Sequence, residues 1–135
     1  MTMRALVIDD SRAMRRIVGT ILKDFGYEVR EAGDGRHALA VLEEGYVPDL
    51  CCIDWNMPVM DGLQFVSAVR SVPAWRQVTL MMVTTESEHS QIVRALAAGA
   101  HEYVIKPFTA DAISDKLALL GLLPQVPQQT AGVPA

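Results

Sequence analysis

Four short apolar runs in this chain each end in charged or hydroxylic residues. Asp9 and Asp10 follow Ala5-Leu6-Val7-Ile8, and Asp54 follows Leu50-Cys51-Cys52-Ile53, with Trp55 and Asn56 next. Thr84, Thr85 and Glu86 follow the run from Val78 to Val83, and Lys106 follows Tyr103-Val104-Ile105 and precedes Pro107. Three carboxylates converging in a partly dehydrated cleft repel one another. A hard divalent cation with oxygen ligands relieves that repulsion, and so small a ligand set favours Mg²⁺ with retained waters over a Ca²⁺ cage. Lys106 would add a fixed positive charge and Thr84 a hydroxyl donor. Carboxylate, Mg²⁺, ammonium and hydroxyl around one point suit phosphoryl transfer, because the transferred group spreads its charge over three oxygens. The carboxylate is the nucleophile and would become an aspartyl phosphate. No glycine-rich loop carrying Lys and Ser/Thr is present for nucleotide phosphates, so a bound nucleotide is not the expected donor.

These residues meet only if the apolar runs lie side by side. Between the runs the pattern changes to a helical period. Ser11 to Phe25 carries Met14, Ile17, Val18, Ile21, Leu22 and Phe25 on one stripe and stops at Gly26. Further helices are expected at Ala38–Leu42, Leu63–Val69, Glu88–Ala98 and Ala110–Leu120. Strands are expected at Ala5–Ile8, Tyr27–Ala32, Leu50–Ile53, Val78–Val83 and Glu102–Ile105. Gly33-Asp34-Gly35 reads as a turn and Trp55–Gly62 as a loop. Five βα repeats imply an α/β fold with a five-stranded parallel sheet and helices on both faces. In such sheets functional groups gather at the carboxyl ends of the strands, which is where the polar residues above would lie.

The bulk composition excludes several classes. The chain has 135 residues, 50% hydrophobic and 21% charged, with a net charge of −4. That length supports one domain with a real core. The acidic balance argues against nucleic acid as a partner. Apolar runs of about five or six residues are far short of the ~20 that span a bilayer, and the first is too short for a signal peptide. A cytoplasmic location is expected. Cys51 and Cys52 are adjacent within a strand, which suits core packing in a reducing compartment better than zinc or a disulfide. Residues 124–135 are Pro/Gln-rich and aperiodic, and are expected to be a disordered tail or truncated linker after a domain spanning 1–123.

Val7-Ile8-Asp9-Asp10-Ser11, Asp54-Trp55-Asn56-Met57-Pro58-Val59-Met60-Asp61-Gly62, Met82-Val83-Thr84-Thr85-Glu86 and Tyr103-Val104-Ile105-Lys106-Pro107-Phe108-Thr109 resemble the receiver domains of bacterial two-component response regulators, the chemotaxis receivers above all. The resemblance runs from about Arg4 to Leu120. It implies a doubly wound, flavodoxin-like sheet of order 2-1-3-4-5. It also implies that Asp54 accepts a phosphoryl group from a histidine kinase, and that Asp10, Asp54 and the carbonyl of Asn56 ligate Mg²⁺, with Asp9 acting through water. Lys106 would contact the phosphoryl group and precede a cis bond to Pro107. Thr84 and Tyr103 would relay its arrival to a target protein at the surface of the fourth helix, fifth strand and fifth helix. Such a protein is a monomer or weak dimer and no enzyme beyond assisting its own phosphorylation and dephosphorylation. Thr85 departs from the family, which more often has a smaller residue there, and so bears on the dephosphorylation rate.

Each residue also has a plainer role. Asp9 and Asp10 alone would read as caps for the first helix with Ser11, but Asp54 and Lys106 beside them favour the metal reading. Thr85 with Glu88 reads as a capping box. Tyr103 alone would read as core. Trp55 and Met57 are expected as partly exposed loop residues without chemistry, the three histidines as structural, and the methionines as filler. Leu117 to Leu123 is apolar on more than one stripe, as a partner surface or a seat for the tail. A haloacid-dehalogenase-like phosphatase shares the Asp, Thr, Lys and Mg²⁺, but needs a carboxylic acid where this chain has Asn56. A receiver fragment of a multidomain regulator, a phosphorelay receiver and a phosphate sink all share the proposed site.

Overall fold

The computed structural model describes residues 2–85 and 89–123. Five strands, β1 (Arg4–Ile8), β2 (Glu28–Ala32), β3 (Leu50–Asp54), β4 (Thr79–Thr85) and β5 (Glu102–Lys106), alternate with α1 (Arg12–Asp24), α2 (Gly35–Glu43), α3 (Gly62–Arg70), α4 (His89–Ala98) and α5 (Ala110–Leu119). The strands are all parallel, in the order β2-β1-β3-β4-β5. This is the doubly wound, flavodoxin-like sheet expected from the repeats and the resemblance. Among the described residues no helix is long and apolar enough to cross a membrane.

The pleat sorts the core into two layers. Leu6, Ile8, Cys51, Ile53, Leu80 and Met82 point to one face and pack with Phe65, Val66 and Ala95 of α3 and α4. Ala5, Val7, Cys52, Met81, Val83 and Val104 point to the other and pack with Val18, Leu22, Ile113 and Leu117 of α1 and α5. The two adjacent cysteines thus serve opposite layers, both free and fully buried. Leu122 and Leu123 fold back onto the α1/α5 layer, where the Leu122 carbonyl accepts from the Tyr27 hydroxyl at 2.5 Å. Within residues 117–123, Leu119 is the large apolar side chain left mostly exposed, at 75%.

Several boundaries differ from the sequence expectation for identifiable reasons. Gly33-Asp34-Gly35 is less a turn than a helix start: Asp34 accepts from the His37 amide at 2.8 Å and α2 begins at Gly35. β4 runs two residues beyond Val83 because Thr84 and Thr85 pair with Ile105 and Lys106 of β5. A short 3₁₀ turn at Pro73–Trp75 carried no clear signal. Trp55 is buried rather than partly exposed, packed in the α3/α4 layer with Met57 against it. The Thr85–Glu88 capping box and the segment 124–135 lie outside the described residues.

At the strand N-terminal edge, Arg70 at the end of α3 acts as a clamp. Its guanidinium donates to the carbonyls of Gly99, Trp75, Arg76 and Val78 and contacts His101 Nδ1 at 3.2 Å. His101 Nδ1 also accepts from the Leu80 amide at 3.1 Å, so it must be unprotonated. Burial first, and then the Arg70 charge, lower the imidazole pKa. A histidine with a depressed folded pKa contributes stability above its ordinary value of 6.5 that is lost as pH falls below it. As pH falls from 7.5 to 5.5 the urea midpoint of the unaltered protein should therefore drop relative to that of His101→Asn, which lacks this contribution to the slope. Equal slopes in the two proteins would remove His101 as its source.

Candidate functional site

The strand alternation that builds the core also aims the site. Asp9 continues the parity of Ala5 and Val7, Asp54 that of Cys52, and Lys106 that of Val104, so all three side chains leave the sheet on the α1/α5 side. Carboxylate oxygens of Asp9, Asp10 and Asp54 lie within 4.8 Å of one another. Lys106 Nζ donates to Asp54 Oδ1 at 3.0 Å and stands 3.7 Å from Asp9 Oδ2. Asp9 and Asp54 are buried, whereas Asp10 is exposed.

Burial is the main reason that the carboxyls of Asp9 and Asp54 have raised pKa values. For Asp9 the Ser11 amide, 2.8 Å from Oδ1, and Lys106 oppose the shift, while Asp10 adds to it. For Asp54 the Lys106 hydrogen bond opposes it and the two other aspartates add to it. Lys106 thus faces three carboxylates, with Arg15 also acting on Asp9. The oxygen-only donor set, its spacing and its unrelieved negative charge fit a hard divalent cation.

Thr84 and Tyr103 occupy the other face. Thr84 continues the parity of Leu80 and Met82 and is buried, and Tyr103 packs partly buried against the α3/α4 layer. Thr84 pairs in register with Ile105, and Met82 with Tyr103, so the hydroxyl and the ring are diagonal neighbours on one face. Asn56 lies exposed in the loop after Asp54. The structure therefore gathers Asp9, Asp10, Asp54 and Lys106, sets Thr84 at the adjacent strand end, and keeps Tyr103 one layer away.

The residues matched by the family's description, "Response regulator receiver domain", are 5–118. The chain belongs to the response regulator receiver family. The chemotaxis protein CheY1 of Helicobacter pylori is 40% identical over 119 residues, covering 87% of this chain and 96% of that protein. The chemotaxis protein CheY of Pseudomonas aeruginosa is 40% identical over 116 residues, covering 85% and 93%. In structure, the chemotaxis response regulator CheY4 of Vibrio cholerae superposes with a TM-score of 0.81 at 36% identity, over 89% of this chain and 99% of that one. Receiver domains are signalling proteins, which sets the phosphatase reading aside.

The loop between β3 and α3 is held to this receiver site by contacts the sequence did not announce. Gly62 donates to the Trp55 carbonyl at 3.0 Å, and a Cβ on Gly62 would lie 2.7 Å from the Asp54 carbonyl oxygen. Gly35 donates to the Met60 carbonyl and has no more room, with Met60 Cγ 2.7 Å from its ideal Cβ. Between these anchors Val59 has a φ of 68°, a costly conformation for a β-branched residue. On α1, Arg15 donates to the Asp9 carbonyl at 2.7 Å and to Glu31 at 3.0 Å, which fixes the β1 end. The Asp61-Gly62 pair marked a turn in the sequence, but the reason for glycine is this close approach. Arg15 gave no signal, because its partners depend on the fold.

Two outcomes follow for the site. Gly62→Ala should destabilise the fold by about 1–3 kcal/mol in urea unfolding, since backbone blocks the added carbon on two sides. Carboxyls with raised folded pKa values make the protein less stable as pH rises through their titration, because the native state holds its protons longer. Asp9→Asn should therefore raise the Tm at neutral pH without divalent ions. Added Mg²⁺ should raise the Tm of the unaltered protein more than that of the variant. A variant that melts lower without ions would contradict the repulsion.

Proposed function

We propose that Asp54 accepts a phosphoryl group from the phosphohistidine of a histidine kinase, with Mg²⁺ bound beside it, and that the modified protein signals to a target protein. The observation that carries this reading is Lys106 Nζ held 3.0 Å from Asp54 Oδ1 within a cluster of three carboxylates. Asp10, Asp54 and the carbonyl of Asn56 would hold the ion, with Asp9 acting through water, and the ion would supply positive charge beside the transferring oxygens. An Asp54 carboxylate oxygen forms a bond to phosphorus as the donor's P–N bond breaks, the electron pair leaving on the imidazole nitrogen. Lys106 then transfers its hydrogen bond from the carboxylate to a phosphoryl oxygen, and the Thr84 hydroxyl donates to another. Tyr103, diagonal to Thr84, follows that movement at the surface of α4, β5 and α5. Similarity to chemotaxis proteins favours motility control as the pathway and a cytoplasmic location.

Incubation with acetyl phosphate and Mg²⁺ should add one phosphoryl group to the intact mass, stable in acid and labile in base. Asp54→Asn should show no gain, and omission of Mg²⁺ should abolish it in the unaltered protein. Lys106→Met should slow the gain by roughly 10²-fold or more, the scale of one charge-stabilising donor. A mass gain that persists in Asp54→Asn would place the acceptor elsewhere.

A further inference from the structure

Glu102 and Tyr103 are neighbours on β5, the edge strand, so their side chains leave opposite faces of the sheet. Lys116 of α5 reaches both across the free edge. Its Nζ donates to Glu102 Oε1 at 3.0 Å and lies 4.7 Å from the centroid of the Tyr103 ring. The same Glu102 oxygen accepts from the Tyr103 amide at 3.0 Å. The Lys116 and Glu102 side chains are 28% and 21% exposed, so water screens the pair only in part. A lysine on its flexible stem would not otherwise stay over one ring face. The carboxylate fixes the ammonium, and the ammonium, drawn to the electron-rich ring face, fixes the ring.

We propose that Glu102 and Lys116 form a latch on Tyr103 that sets how often its ring leaves the seat seen here before phosphorylation. This deepens the reading of Tyr103 as the relay and rests on it. A ring that leaves forfeits its contact with the ammonium, whereas Lys116 keeps Glu102. Phosphorylation of Asp54 must supply that difference, because a ligand shifts an equilibrium only by its differential interaction with the two states. Space for the movement exists: a groove of about 400 Å³ adjoins the ring, bordered by Phe108, Ala112 and Lys116 among others. Neither Glu102 nor Lys116 contacts the aspartate cluster in the described contacts, so both are positioning residues for the relay.

The test uses the full chain labelled with 3-fluorotyrosine and followed by ¹⁹F NMR. Tyr27, Tyr46 and Tyr103 are the three tyrosines, and Tyr103→Phe assigns the third resonance. Acetyl phosphate with Mg²⁺ should move the Tyr103 resonance of the unaltered protein. Lys116→Met and Glu102→Gln should move it toward that same position without phosphodonor, raising the displaced-to-seated ratio about two- to five-fold, the scale of one cation–π contact. Lys116→Arg should restore the seated position. Unchanged Tyr27 and Tyr46 resonances show that the fold is intact, since a merely structural loss would move all three. A Tyr103 resonance in Lys116→Met that stays at the unphosphorylated position overturns the latch and leaves the relay standing. A resonance that stays put in the unaltered protein despite the mass gain overturns the relay, and the latch with it.

Discussion

Carboxylates do not gather for stability, and the placement of Asp9, Asp10 and Asp54 governs much of this fold. Two of the three are buried, and one lysine answers them. Removing charges from water costs several kcal/mol per ion unless partners compensate. Lys106 compensates in part, through a short contact to Asp54 and a longer one to Asp9. The residual repulsion among the carboxylates favours a positive charge placed beside them. Around the cluster the surrounding backbone is correspondingly constrained. Gly62 leaves no room for a Cβ beside the Asp54 carbonyl, Gly35 donates to the Met60 carbonyl, and Arg15 donates to the Asp9 carbonyl.

The sheet sets the proposed acceptor site and the proposed relay on opposite faces. Asp9, Asp54 and Lys106 leave the α1/α5 side, while Thr84 and Tyr103 belong to the α3/α4 side. On β5 the separation is one of parity, between Tyr103 and Lys106. In the proposed function such an arrangement would let a charge added on one side be felt on the other without opening the core, because both faces share an edge at the strand ends. The β5 edge has a further use for that geometry, since Lys116 and Glu102 connect α5 to the Tyr103 ring around it.

How much of this was legible follows from what each feature depends on. The order of runs and helical stripes carried the parallel α/β sheet, because buried parallel strands lack polar alternation and Leu50–Ile53 and Ala5–Ile8 lack it. The residues after those runs carried the aspartate–lysine cluster, since strand ends in such a sheet must converge. The strand order itself came from the resemblance. Trp55 was misjudged because a residue beside a turn-rich loop looks exposed until α3 is seen to close over it at Gly62. Arg70, Arg15 and Glu102 were invisible for a different reason. Each is an ordinary charged residue whose partners lie on other elements, and no local spacing encodes them.

The two ends of the sheet are built on opposite terms. At the carboxyl ends lie unbalanced charge, a β-branched residue at positive φ, and groups that would change partners on phosphorylation. At the amino ends the polar groups are matched. Arg70 meets four carbonyls and a ring nitrogen, Asp49 accepts from the Arg4 amide at 2.8 Å, and the guanidinium groups of Arg4 and Arg30 lie 5.4 and 4.6 Å from the Tyr46 ring centroid. A switch needs a frame against which its moving parts move, and packed interiors yield in discrete steps rather than continuously. For the proposed switch the clamped amino edge would supply that frame. In the proposed relay Thr84 and Tyr103 would move at the other edge while Arg70 and His101 hold the register of β4 and β5 at its start.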